Sequence, residues 1–195
     1  MDGGNITMLL EEVYTGAPTV KSGSHPTTVN EFTDQSPALR PEVLAEAVGR
    51  MLALGKFDAD KILVEEDKGA VLGGALSLAA GLPLAVARWY AYDLGGRSVP
   101  VPVDGARCRG TLYVNGIEPG DRLTLVDDTI STGTTLISLI EAVRAAGAEV
   151  AEIVVAVEQS ADGGRRKVAE RFGIAVRSVI RITVDERTGR AVVLP

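Results

Sequence analysis

The chain has 195 residues, 46% apolar and 24% charged, with a formal net charge of -6 and aromatics at only 4%. That length supports one domain with a sizeable core rather than two, so residues 1–195 are read as a single unit whose interior Leu, Val, Ile and Ala must fill. The acidic balance lacks the basic footprint of a nucleic-acid binder, the single cysteine, Cys108, excludes an internal disulfide and fits a reducing compartment, and without a long apolar run or a signal-peptide pattern the cytoplasm is the default, with no membrane partner.

Residues 1–40 carry many Gly, Pro, Thr and Ser and read as an irregular arm or partial hood; Met8–Val13 is their one apolar stretch, and His25, the sole histidine, falls among them. A helix should begin at Pro41, a residue suited to the first helical position. Val43, Leu44, Ala47, Val48, Met51 and Leu52 recur at helical spacing, and Gly55 is the stop. Lys61–Glu65 then reads as a strand, Ala70–Ala80 as a helix ended by Gly81, and Leu84–Arg88 as the next strand. Residues 89–110 look like a long loop rich in Gly, Pro and Arg, with Thr111–Val114 as a strand leading out of it. Arg122–Val126 is a short apolar strand, Thr134–Ala146 a helix stopped at Gly147, Val150–Val157 a strand, Asp162–Phe172 a helix and Ala175–Val184 a strand. A turn at Glu186–Gly189 leads into a last strand, Ala191–Leu194.

This alternation implies an α/β fold, a parallel sheet covered by helices on both faces, joined by right-handed crossovers. Ligands in such sheets bind beyond the carboxyl ends of the strands.

One stretch concentrates chemistry at such an end: Leu123-Thr-Leu-Val-Asp127-Asp128-Thr-Ile-Ser-Thr-Gly-Thr-Thr135. An apolar strand runs into two adjacent carboxylates, then into small and hydroxylated residues, then into a helix. Free N–H groups at a helix start attract phosphate. Gly133 permits close backbone approach, and Ser131, Thr132, Thr134 and Thr135 add hydroxyl donors. Asp127 and Asp128 suit two vicinal hydroxyls. The plainer alternative is an N-cap cluster with solvated acids. No G-x-x-x-x-G-K-[ST] or G-x-G-x-x-G motif occurs.

Val126-Asp-Asp-Thr-Ile-Ser-Thr-Gly-Thr-Thr135 resembles the phosphoribosyl pyrophosphate (PRPP) signature of type I phosphoribosyltransferases. The likeness extends from about residue 18 to the C-terminus. It is strongest to small archaeal-type hypoxanthine and adenine enzymes, through the run Gly110-Thr-Leu-Tyr-Val-Asn-Gly-Ile-Glu-Pro-Gly-Asp121. The resemblance implies the type I fold, a central parallel sheet flanked by helices with a small hood (1–40), a flexible lid loop (89–110) and a PRPP-binding strand-loop-helix (122–147). It implies transfer of 5-phosphoribose from PRPP to a purine base (hypoxanthine, guanine or adenine), with Mg²⁺ bound mainly through PRPP and no dedicated metal ligands, in a homodimer. Asp127 and Asp128 would hold the ribose hydroxyls and assist catalysis. Thr129, Ile130, Ser131, Thr132, Gly133, Thr134 and Thr135 would cradle the 5-phosphate. Glu66, Asp67, Lys68 and Gly69 match the pyrophosphate loop, with Arg88 nearby and a cis peptide expected at Asp67–Lys68. Arg97, Arg107 and Arg109 make the lid stretch locally basic against Asp93 and Asp104.

Two departures stand out. Relatives commonly carry lysine after the arginine at position 88, where this chain has Trp89; and the aspartate of some hypoxanthine–guanine enzymes is Ser131 here. Glu158 is then the candidate proton donor or acceptor. A ring pocket is expected near Glu158, Gln159 and residues 177–183, with Trp89, Tyr90 or Tyr92 available for stacking. Two further readings keep parts of this one: a deazapurine-like acceptor, and a PRPP-sensing regulator without catalysis.

Overall fold

The structure, a computed structural model, describes residues 8–22, 25–91, 98–104 and 109–195. The seven expected strands, joined by one that was not expected, form a single eight-stranded sheet. Its centre is β3 (Lys61–Glu65), β4 (Leu84–Arg88), β7 (Arg122–Ile130), β8 (Glu149–Gln159) and β9 (Val176–Asp185). These run parallel in the spatial order β9-β8-β7-β3-β4. β10 (Arg190–Leu194) closes one edge antiparallel to β9, and the ribbon of β5 (Ser98–Asp104) and β6 (Arg109–Asn115) closes the other, antiparallel to β4.

The sheet's two faces are legible in its strands. On β3, Ile62 and Val64 face one way and Leu63 the other; on β8, Val154 and Ala156 oppose Ile153 and Val155. The Leu63 face packs against α5 (Thr134–Ala145) and α6 (Gly164–Phe172) through Leu136, Leu139, Ile140, Val143 and Val168. The Val64 face packs against α3 (Pro41–Leu54) and α4 (Gly69–Ala80). All these side chains are at most 2% exposed, as expected of parallel strands covered on both faces. Among the described residues no helix is long and apolar enough to cross a membrane.

Two expectations are corrected. Residues 1–40 were expected to be irregular, yet they hold α1 (Leu9–Tyr14), the hairpin strands β1 (Thr19–Ser22) and β2 (His25–Thr28), and α2 (Glu31–Asp34). α2 is set by Asn30, whose side chain accepts from the N–H groups of Phe32 (2.8 Å) and Thr33 (3.1 Å). α1 is held from outside: Glu46 of α3 accepts from the N–H groups of Leu9 and Leu10, and Arg50 pairs with Glu11 at 2.7 Å. The second correction concerns residues 89–110. Far from being loop throughout, they contain β5 and the start of β6, with Val101 and Val103 buried in the core on the α5 face. Pro100 and Pro102 stand in β5 opposite Tyr113 and Thr111, and they are tolerated because β5 is an edge strand.

Candidate active site

The strand order reverses between β3 and β7: the chain moves outward to β4 from one and to β8 and β9 from the other. A crevice opens at the carboxyl ends where such a reversal occurs. A cavity of about 270 Å³ lies there. Its walls come from the ends of β3, β4, β7 and β8, the start of α5, and the hood residues Thr27, Thr28 and Thr33.

The β7 side is built from backbone. β7 ends at Ile130, and α5 starts at Thr134 after Gly133, whose φ of 80° an L side chain rarely adopts. The first helical bond is Ile137 N–H to the Gly133 carbonyl at 2.9 Å, so the preceding amides have no helical acceptor and stand at the cavity, which Gly133, Thr134, Thr135 and Leu136 line. The Thr132 and Thr134 hydroxyls lie 3.1 Å apart. The loop is braced from behind by α6. Gly164 N–H donates to the Ser131 carbonyl at 2.8 Å, and a Cβ at Gly164 would fall 2.3 Å from that oxygen and 2.6 Å from the Gly133 nitrogen.

Asp127 and Asp128 line the cavity at the end of β7, only 8% and 5% exposed. Asp128 N–H donates to Asp127 Oδ1 at 3.0 Å. Burial raises the Asp127 carboxyl well above the usual carboxylate range, and the charges of Asp128 and Glu65 add to the shift. Burial also raises Asp128, against hydrogen bonds and the charge of Lys68. The Tyr14 hydroxyl of the hood is fully buried; burial, and then the charge of Asp128, raises it.

The β3 side is built from side chains. Lys68 and Asp67 line the cavity; Gly69 opens α4 so close behind that a Cβ there would lie 3.2 Å from Asp127 Oδ1. Lys68 Nζ contacts Asp34 Oδ1 of α2 at 2.6 Å, a direct tie between loop and hood. Burial opposes ionisation of Asp34, but bonds from Lys68, Thr33 and the Asn30 N–H hold it below its ordinary range. Glu66 turns away from the cavity: it pairs with Arg88 at 3.3 Å and accepts from Trp89 N–H at 2.7 Å. The Asp67–Lys68 peptide is trans; among the described residues the cis bond is Ser36–Pro37.

The structure therefore gathers Asp127 through Thr135, Asp67, Lys68, Trp89 and Gln159 around one cavity. Glu66, Gly69 and Arg88 stand behind its wall. Tyr90 is half exposed and does not line it. Glu158 is also outside: its carboxylate accepts from Arg165 (3.1 Å) and Ser178 (3.0 Å). Those two partners line a separate hollow of about 500 Å³ over Ser178–Arg181. Of the lid arginines, Arg109 is exposed and paired with Asp104 at 2.9 Å; Arg97, Arg107 and Tyr92 lie outside the described residues. Sequence reasoning passed over Glu65, a cavity residue that it left as the end of a strand, and the hood threonines. The available signal for Glu65 was a carboxylate ending the apolar run Ile62–Val64.

Comparison with known proteins agrees with this fold. The phosphoribosyl transferase domain family matches residues 45–187. A hypoxanthine/guanine phosphoribosyltransferase of Methanotorris igneus is 37% identical over 96% of this chain and 100% of its own length. One from Methanocaldococcus jannaschii is 35% identical with the same coverage. Among solved structures, adenine phosphoribosyltransferase from Rhodothermus marinus superposes with a TM-score of 0.71 at 26% identity, over 88% of this chain and 97% of that one.

Proposed function

This chain belongs to the phosphoribosyltransferase family, and on that premise we propose that it transfers the 5-phosphoribosyl group of PRPP to a purine base, giving a nucleoside 5'-monophosphate and pyrophosphate. Hypoxanthine and guanine are the first acceptors to try, because the named relatives of nearly full coverage act on those bases; adenine is next, from the structural neighbour. The observation that carries the reading is that the acid pair Asp127–Asp128, the amide-lined start of α5 and Lys68 all border one cavity at the strand-order reversal.

In this reading the 5-phosphate sits on the backbone amides and hydroxyls of Thr129–Thr135, where the dipole of α5 favours an anion. Asp127 and Asp128 accept hydrogen bonds from the ribose 2- and 3-hydroxyls. The pyrophosphate lies toward Asp67, Lys68 and the start of α4. Displacement at C1 places positive charge on the ribose ring, as in other glycosyl transfers. In their ionised forms the two buried acids sit where that charge develops, so they favour the transition state over the ground state. Binding both reactants in one crevice removes most of the entropic cost of their encounter.

Among the described residues the cavity holds Glu65, Asp67, Asp127 and Asp128 against one lining cation, Lys68, which is itself bonded to Asp34. A pyrophosphate group needs more positive charge than that. Mg²⁺ carried in on the phosphate oxygens fits this balance, and when bound it neutralises the leaving group. The acceptor base approaches from the side of Gln159 and the hood threonines, with Trp89 across the cavity; Glu158 stays a candidate only if its bonds to Arg165 and Ser178 are released. A cytoplasmic homodimer completes the proposal, and the exposed apolar residues Val71 and Leu78 of α4 are the ones to substitute when its mass in solution is measured.

The test is pyrophosphate release with PRPP, Mg²⁺ and a panel of hypoxanthine, guanine, adenine and a deazapurine. Turnover of a purine is expected. PRPP binding without turnover of any base would replace the enzyme reading with a sensor.

A further inference from the structure

The cavity wall contains a wired unit that the phosphoribosyl chemistry above leaves unused. Glu65, 7% exposed at the end of β3, spends one oxygen on each of two donors. Oε2 accepts from the Asp67 backbone N–H at 3.0 Å, and Oε1 accepts from the indole N–H of Trp89 at the end of β4. Trp89 is held at two further points. Its backbone N–H donates to Glu66, and its six-membered ring stands so near β6 that a Cβ at Gly110 would lie 3.5 Å from Cε3 and Cζ3. The ring is thus tied at its indole N–H and packs against the α5-face core, and both Glu65 and Trp89 line the cavity.

We propose that Glu65 and Trp89 are a positioning pair for the pyrophosphate side of the site, in which the Glu65 carboxyl group fixes the Asp67 backbone and the indole together so that the β3–α4 turn is held open for the leaving group. The inference rests on the PRPP reading above. Neither residue touches the reacting atoms. Glu65 acts through Asp67, and Trp89 acts by holding Glu65. A fixed indole also makes Trp89 a wall of the site rather than a mobile stacking arm.

The charged groups facing Glu65 are Asp67 and Glu66 on its own turn and Asp127 on β7; Lys68 beside it is engaged by Asp34. Burial lifts the Glu65 carboxyl to about 7, against the bonds from Asp67 and Trp89. Near neutral pH the pair therefore exists in two protonation states. A pyrophosphate-bearing ligand opposes the ionised one, so PRPP should bind less tightly above that pH.

The test is kinetics with PRPP varied at saturating Mg²⁺ and the best purine base, from pH 6 to 9, for wild type, Trp89→Phe, Glu65→Gln and the double variant. Each single variant should raise KM for PRPP roughly tenfold while kcat moves less than about threefold, and the double variant should be no worse than either single, as for residues acting as one unit. The wild-type KM should climb above about pH 7, and Glu65→Gln should abolish that climb. Additive single effects, a wild-type KM in Trp89→Phe, or a climb that survives in Glu65→Gln would each overturn the pair. A readout independent of turnover is available, because Trp89 is the sole tryptophan. Its emission should titrate near pH 7 in the free wild type and stay flat in Glu65→Gln; a flat wild type overturns the proposal. Wild type that neither turns over a purine nor binds PRPP removes the underlying reading and this one with it, whereas active wild type with an unmoved Trp89→Phe removes the pair alone.

Discussion

In the proposed reading the two walls of the cavity would solve one problem, holding an anion, by opposite means. On the β7 wall the donors are backbone amides, locked by the φ of Gly133 and by Gly164 pressed against the Ser131 carbonyl. On the β3 wall the donor is a charged side chain that already has a partner, Lys68 on Asp34, with the Arg88–Glu66 pair behind it. The first wall is complete before a ligand arrives, so binding there costs little reorganisation. In that reading the second wall would exchange the Lys68–Asp34 pair for ligand contacts, which ties its affinity to the hood.

Substitutions can break or sharpen this contrast. The largest effect is expected at the junction of the walls: Asp128→Asn should lower kcat by about 10²-fold or more, the scale of losing one group aimed at developing charge, as read by initial rates of pyrophosphate release. An unaffected rate would remove its role. Next is Gly164→Ala, which drives a methyl group into backbone. It should cost about 1–3 kcal/mol in urea unfolding and raise KM for PRPP without touching a charged group. A silent Gly164→Ala would show that the β7 wall is less rigid than its packing implies. On the other wall, Lys68→Met should raise KM for PRPP roughly tenfold, about 1.4 kcal/mol, and the loss should shrink as salt is added. Asp34→Asn frees Lys68 and should lower the same KM by only about two- to threefold, since a partly exposed ion pair is worth under about 1 kcal/mol.

A further effect is on stability. Below about pH 4.5 Glu65 is protonated in both folded and unfolded chains. As pH rises toward about 7, only the unfolded chain releases the proton, so the folded state weakens across that window, and above it the loss is complete. Glu65→Gln should therefore raise the urea midpoint relative to wild type more at pH 8 than at pH 5.

The contrast also explains what the sequence disclosed. The β7 wall was legible because strand, acids, hydroxyls and helix start follow one another within Leu123–Thr135. The sheet's core strands and helices were legible for the same reason, since each carries its own apolar period. The β3 wall was only half legible. Lys68 and Asp67 stood in a recognisable turn, but nothing local marks Glu65 as the partner of an indole 24 positions on. The hood was expected, but its elements were missed because they are four to six residues long and depend on remote groups such as Glu46 and Arg50. β5 was missed because its prolines argue against a strand, and only its place at the sheet edge removes the objection.

The hood has one more dependence. Gly16 N–H donates to the Ala191 carbonyl and Ala191 N–H to that of Ala17, Pro18 bridges Arg190, and the Arg190 side chain donates to the Gly16 carbonyl across 174 positions of chain. During synthesis the Gly16–Pro18 stretch cannot complete these bonds until β10 has emerged. A nascent chain stalled before residue 190 would therefore carry the crevice with its hood held through Glu46, Arg50, Lys68 and Gln159 but not through β10.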